Sequence, residues 1–429
     1  MIISTSTIFP VNDFRQIKEK VLNWVQQFDT FCFLDNHQYQ IGPHTEECLL
    51  AAGVKERLDI SGNDFLEQLS RLTNNKPRWL FGHLGYDLKN GLENLSSSLP
   101  DHVGFPDLSF FEPAIVIRLN ETALVIEAGD PLTIYNNIQA QPATPVATPA
   151  RSVVIKQRVT REEYLSIIRK LQQHILRGDC YEINFCQEFY STEAVIDPLQ
   201  VYRHLSEVSP NPFSAFYRQQ DKWLICASPE RFIKKAGRRI LSQPIKGTAK
   251  RMLDDEAGDK KIRQDLFNNP KDRSENVMVV DLVRNDLAKI CEEGSVKVDE
   301  LYGIYSFPQV HQMISTVSGE LKEDVSFADI IKASFPMGSM TGAPKKRVME
   351  LIEQYEKTKR GVYSGAIGYI SPEGDFDFNV VIRSILYNAT AKYLSFQAGS
   401  AITFYSDPEN EWEECLLKAA AIRQALGIF

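Results

Sequence analysis

Several absences narrow the function of this 429-residue chain before any motif is read. No Cys-x-x-Cys pair occurs, and the seven cysteines are odd in number and scattered, which suits reduced core thiols in a cytoplasmic protein rather than a disulfide framework. No window approaches 18 uninterrupted apolar residues, so no membrane span is expected. The opening MIISTSTIFPVNDFRQ has neither a basic region nor a long apolar run, so no secretory signal is expected. Formal net charge is −8 and the basic residues form no stripe with interleaved aromatics, which argues against a nucleic-acid partner. The Gly-x₄-Gly-Lys-Ser/Thr phosphate loop is missing, and no His/Cys spacing suggests zinc.

What is present is globular: 43% hydrophobic and 24% charged, with length for one large or two ordinary domains. The Pro/Ala/Thr-rich stretch 139–152 reads as a linker, dividing the chain into 1–150 and 151–429. Before it, strands are expected at Thr30–Leu34, Arg78–Gly82, Phe110–Leu119 and Ala123–Ala128, with helices around Phe14–Phe28 and Asp64–Leu72. After it, strands are expected at Val153–Val159, Tyr181–Tyr190, Trp223–Ala227, Tyr363–Ile370, Phe376–Leu386 and Tyr393–Ala398. Thr160 and Glu163 have capping-box spacing at the head of a helix reaching about Arg177. Strand pairs with segregated helices indicate an α+β fold.

Four patterns carry chemistry. Lys246 in Pro244-Ile245-Lys246-Gly247-Thr248 is an ordinary surface lysine unless desolvation or a neighbouring cation depresses its pKa and makes it a nucleophile. Glu230 in Ser228-Pro229-Glu230-Arg231-Phe232 is a candidate acid partner. Asn268–Ile290 reads as one long helix with Asp272 and Glu275 on its first face, and Asp407-Pro408 starts another that carries Glu411, Glu414 and Lys418 on one stripe. Such carboxylates are either solvated or ligands for Mg²⁺. Finally, Gly338-Ser339-Met340-Thr341-Gly342-Ala343-Pro344 offers hydroxyls and free N–H groups as an anion cradle at a helix start.

The strings PIKGT, SPERF, ENVMVVDLVRNDLAKI, FPMGSMTGAPK, GVYSGAIGY, DFNVVIRS and SDPENEWEE followed by Lys418 resemble the motifs of chorismate-utilising enzymes over about residues 153–427. That family includes component I of anthranilate synthase, component I of aminodeoxychorismate synthase, isochorismate synthase and salicylate synthase. The resemblance implies two large, mainly antiparallel β-sheets packed as a sandwich with helices outside, in four α/β/β/α layers. It makes 1–150 the variable N-terminal region and 151–429 the chorismate-binding catalytic domain. Anthranilate-forming members resemble Pro-Ile-Ala-Gly-Thr where this chain has Lys246, and water-using members carry a lysine where Gly178-Asp179-Cys180-Tyr181-Glu182 has Glu182. Leu34-Asp35-Asn36 departs from the Leu-Leu-Glu-Ser of tryptophan-inhibited members.

The resemblance therefore implies an aminotransferase-type enzyme that makes 4-amino-4-deoxychorismate, the precursor of 4-aminobenzoate in folate synthesis, from chorismate and ammonia. Lys246 would add at C2 while Glu230 protonates the departing C4 hydroxyl. Glu275, Glu411 and Glu414 would hold Mg²⁺, and Arg383 the side-chain carboxylate. Ser339, Thr341, Tyr369, Lys418 and the backbone at Gly365 and Gly399 would complete the substrate shell. Gln312 stands where the family has histidine, and His311, one residue away, points to the opposite strand face. Ala401 replaces a second glycine of the family's Gly-Ala-Gly. Ammonia would come from a separate glutamine amidotransferase subunit. The alternatives are an anthranilate synthase component I and a non-catalytic chorismate-binding subunit.

Overall fold

The central strands of this chain are buried on both faces. In Thr30–Asp35, Phe31 and Phe33 enter one apolar cluster and Cys32 enters another. The computed structural model describes residues 5–39, 47–60, 62, 64–74, 76–143, 153–307 and 310–428, so most of the expected linker, 144–152, lies outside the described residues.

Antiparallel pairing links all twenty strands of the described residues. The long pair Cys48–Ile60 and Leu108–Leu119 is shared by two sheets. From Cys48–Ile60 one sheet runs through Thr30–Asp35, Phe213–Gln219, Lys222–Ser228, Ser384–Asn388 and Tyr393–Ile402 to Glu182–Ser191. From Leu108–Leu119 the other runs through Leu80–Leu84, Ala366–Ile370, Phe376–Asn379, Arg231–Ala236 and Arg239–Gln243 to Val310–Glu320, which also pairs Ile245–Lys250. Helices Phe14–Val25, Arg161–Leu176, Pro198–Val208 and Pro408–Ala425 cover the first sheet with one cluster. The second cluster holds residues of both sheets and of helices Phe65–Asn74, Pro270–Ala288 and Phe327–Ser334. The expected sandwich of antiparallel sheets with outer helices is what forms, and strands from both sides of residue 150 share each sheet.

Three local expectations change. Val153–Val159 shrinks to a two-residue strand, Lys156–Gln157. Phe376–Leu386 splits into Phe376–Asn379 and Ser384–Asn388, because Arg383 takes a left-handed φ of 51° that no continuous strand tolerates. The segment 338–340 is a single 3₁₀ turn and the following helix begins only at Lys345, so Ser339 and Thr341 do not lie on a helix N-terminus as expected.

Arg360 fastens that turn. Its fully buried guanidinium donates to Met340 O at 2.7 Å, to Asn184 O at 2.8 Å and to both oxygens of buried Glu356 at 2.6 and 3.0 Å. Replacing Arg360 by Leu leaves the Glu356 carboxylate buried without its counter-charge. We predict a loss of about 3–5 kcal/mol in urea unfolding, and a smaller loss when Glu356 is also made Leu. Equal losses in the single and double variants would refute this.

Candidate active site

Close backbone approaches bring the functional residues together. Gly247, at φ 89°, lies on strand Ile245–Lys250 against Asp272, whose Cγ would sit 3.0 Å from any added Cβ; this admits the first turn of helix Pro270–Ala288 beside Lys246. Asn269 caps that helix by accepting from Lys271 N and Asp272 N at 2.9 and 3.2 Å. A Cβ on Gly399 would meet Phe185 O at 2.0 Å, so only glycine fits where strand Tyr393–Ile402 meets Glu182–Ser191.

Lys246 Nζ lies 2.8 Å from Glu182 Oε1, with both side chains nearly excluded from solvent. Burial pulls the ammonium's pKa down, but the Glu182 and Glu275 carboxylates, with Glu230, outweigh it and hold Lys246 above the usual lysine range. The expected depression of the lysine pKa is thus reversed: its neighbours are anions, not cations. Burial pushes Glu230 up to about 7 against the opposing pull of Ser339, Lys246 and Arg383. Burial likewise pulls the Arg383 guanidinium down to about 10, with Glu230 opposing. Lys246, Glu230, Ser339 and Arg383 therefore form one electrostatic group.

A second group borders it. Glu275, also pushed up to about 7 by burial, faces Lys246, Glu182, Lys271 and Glu414. Lys271 Nζ bridges Glu411 Oε1 at 3.2 Å and Glu275 Oε1 at 3.8 Å, while Lys418 Nζ reaches Glu414 Oε1 at 2.7 Å and Gly399 O at 3.0 Å. Among the described residues no three acidic, histidine or cysteine side chains converge tightly enough to hold a metal ion as they stand. Buried Glu275 Oε1, Glu411 Oε2 and Glu182 Oε2 nonetheless lack a hydrogen-bond partner among the described residues. Thr341 turns its hydroxyl inward to Met337 O at 3.1 Å.

One expected contact, Tyr369, sits elsewhere, and Gln312 stands on the strand beside the site. Tyr369 packs at a tilt against Trp79 and Phe81 and lines a separate cavity of about 70 Å³ with Leu34, Asp35, Arg231 and Asp377, which includes none of the Lys246 cluster. Gln312 is fully buried opposite Thr248 with neither end of its amide hydrogen-bonded, whereas His311 bonds Asp259 at 3.1 Å and Ser306 at 2.9 Å. Sequence reading passed over Glu182, Lys271 and Arg360 as site residues. Glu182 was the findable one, an acid inside the apolar run Tyr181-Glu182-Ile183-Asn184-Phe185.

The model of chorismate binding enzymes matches residues 32–424. The chain belongs to that family. This chorismate-binding enzyme is 37% identical to aminodeoxychorismate synthase component 1 of Klebsiella aerogenes over 349 residues, 80% of this chain and 76% of that one. The Escherichia coli protein of the same name is 34% identical over 348 residues, with the same coverage of both chains. Among solved structures, anthranilate synthase component I from Streptococcus pneumoniae superposes with a TM-score of 0.76 at 25% identity, covering 90% of this chain and 94% of that one. The menaquinone-specific isochorismate synthase MenF of Escherichia coli, at 16% identity and TM-score 0.78, covers 99% and 94% and shares the fold. Among the described residues of this family member no helix is long and apolar enough to cross a membrane.

Burial gives the enzyme a titration signature. Glu230 and Glu275 keep their protons to about pH 7, above the ordinary value of 4.5 that they regain on unfolding. The native state then binds more protons than the unfolded chain between those values, so these two groups lower stability as pH rises from about 4.5 to 7. Carboxyl ¹³C NMR should show two glutamates titrating near 7 that vanish in the Glu230→Gln and Glu275→Gln variants. Titration of every glutamate below 5 would contradict the burial argument.

Proposed function

We propose that this enzyme aminates chorismate at C4 with ammonia, giving 4-amino-4-deoxychorismate for 4-aminobenzoate synthesis. The carrying observation is Lys246, a buried amine in one group with the acid Glu230 and the cation Arg383. Glu230, protonated up to about pH 7, suits the general acid that releases the C4 hydroxyl as water. Lys246 forms a bond to C2 as that hydroxyl leaves. Ammonia then adds at C4 and the Lys246 nitrogen departs. Arg383 supplies a planar fork for a substrate carboxylate. The resemblance to proteins named component 1 supports an amidotransferase partner as the ammonia source.

Mg²⁺ fits the second group as a donor set. Glu275 and Glu411 each present a buried oxygen without a hydrogen-bond partner, and Glu414 is the third carboxylate on that side. When bound, the ion would cancel repulsion between these carboxylates and the substrate's own. Lys271 now supplies the positive charge there, bridging Glu411 and Glu275 from a half-exposed position. It must swing out before a divalent ion enters.

Two measurements follow from these placements. With chorismate, Mg²⁺ and ammonium, the wild-type chain should form aminodeoxychorismate that yields 4-aminobenzoate only when a lyase is added. Lys246→Ala should lose at least ~10²-fold in that rate. Release of anthranilate with pyruvate would favour the anthranilate synthase alternative, and chorismate binding without turnover the non-catalytic one. Separately, Lys271→Gln should bind Mn²⁺ severalfold more tightly than wild type in electron paramagnetic resonance titrations of the substrate-free protein. Unchanged or weaker binding would remove Lys271 from the cradle.

A further inference from the structure

The reading of Lys246 as nucleophile leaves one requirement unmet. A nitrogen held as an ammonium above the usual lysine range has no lone pair to give. Four carboxylates face it: Glu182 from strand Glu182–Ser191, Glu275 from helix Pro270–Ala288, Glu230 from the turn before strand Arg231–Ala236, and Glu414 from helix Pro408–Ala425. Three are committed elsewhere. Glu230 serves the leaving hydroxyl, Glu275 shares Lys271 with Glu411, and Glu414 is ion-paired to Lys418 at 2.7 Å.

Glu182 alone among the described residues hydrogen-bonds the nitrogen, at 2.8 Å. Its side chain is 2% exposed and its second oxygen, Oε2, has no hydrogen-bond partner. Its backbone is pinned, since Glu182 pairs with Ala343 in the strand register and a Cβ on Gly342 would meet Glu182 O at 2.1 Å. Proton transfer inside this pair turns two buried charges into two neutral groups, which relieves the desolvation that opposes the ammonium here.

We propose that Glu182 is a catalytic residue, the acceptor of the Lys246 proton. An Nζ–H bond breaks as Oε1–H forms. The freed lone pair then bonds to C2, the ring double bonds shift, and the C4–O bond breaks with the oxygen leaving as water on the Glu230 proton. The proton stays on Glu182 while Lys246 is bonded to carbon. When ammonia adds at C4 and the N–C2 bond breaks, the released amine recovers that proton, the ion pair re-forms, and the new C4 ammonium returns a proton to Glu230.

The inference rests on the chorismate-amination reading, so the test begins with the wild-type chain. Aminodeoxychorismate is followed with chorismate, Mg²⁺ and free ammonia held saturating at each pH from 6.5 to 9.5. Glu182→Gln keeps the shape and an acceptor oxygen but cannot take the proton. Its kcat should fall about 10²–10³-fold with the KM for chorismate within about threefold. The ratio of its rate to wild type should climb with pH, as solvent base replaces the missing carboxylate. Glu182→Asp should recover part of kcat and keep the wild-type pH profile. If the wild type makes no aminodeoxychorismate, the amination reading itself fails. If the wild type is active and Lys246→Ala is dead, yet Glu182→Gln keeps or exceeds the wild-type rate, the proton-acceptor assignment is overturned. A pH-independent ratio overturns it as well, because a residue that only positions Lys246 would slow every pH equally. Should Glu182→Gln not fold, a folded Glu182→Asp that turns over with a pH profile unlike wild type, or that is inactive, decides against the proposal.

Discussion

The site depends on keeping one ammonium buried. Taking Lys246 out of water is costly, and the cost is bearable only because Glu182 meets its nitrogen at 2.8 Å while Glu275 and Glu230 add their fields. Those same carboxylates repel one another, and burial settles the conflict by leaving Glu230 and Glu275 protonated up to about pH 7. Burial, against the pull of that cation, thus decides which neighbours keep their protons. The two carboxyls sit in different surroundings: Glu182 ion-pairs with the nitrogen, while Glu230, protonated up to about pH 7, faces Arg383. Acid and base roles separate because environment pushes like groups apart.

Packing holds that arrangement in place. The carboxylates come from different elements, which must approach closer than ordinary side chains allow. Gly247 lets helix Pro270–Ala288 reach Lys246, Gly342 lets the turn reach Glu182, and Gly399 lets two strands close beside Lys418. Arg360 then ties the turn at Met340 to the strand at Asn184 from beneath. Electrostatics chose the residues, but backbone proximity makes them neighbours.

Much of this was legible in the sequence, for local reasons. Thr160 and Asp407 cap their helices as their spacing indicated, and Ala123–Ala128 forms as read. These features depend on a few adjacent residues. The turn of the chain at Arg383 was not legible, because its left-handed φ is imposed on a residue with no propensity for it, a mark of tertiary constraint. The cradle expected at a helix start failed for a similar reason: the hydroxyls are there, but residues 338–340 form their own 3₁₀ turn ahead of the helix. Glu182 stayed hidden because its strand is buried on both faces, so alternation carries no signal and only the oddity of an acid among apolar residues remained.

Strand parity also settles what became of the missing histidine. His311 and Gln312 are adjacent on Val310–Glu320, and a one-residue step reverses the face. His311 is spent on Asp259 and Ser306, so it has no free nitrogen for the site. Gln312 is buried with both ends of its amide unpaired among the described residues. An amide can donate to or accept from a substrate oxygen but cannot change charge between pH 5 and 8. With a neutral group at that position, the proposed proton transfers are left to carboxyls beside Lys246, of which Glu182 alone hydrogen-bonds its nitrogen.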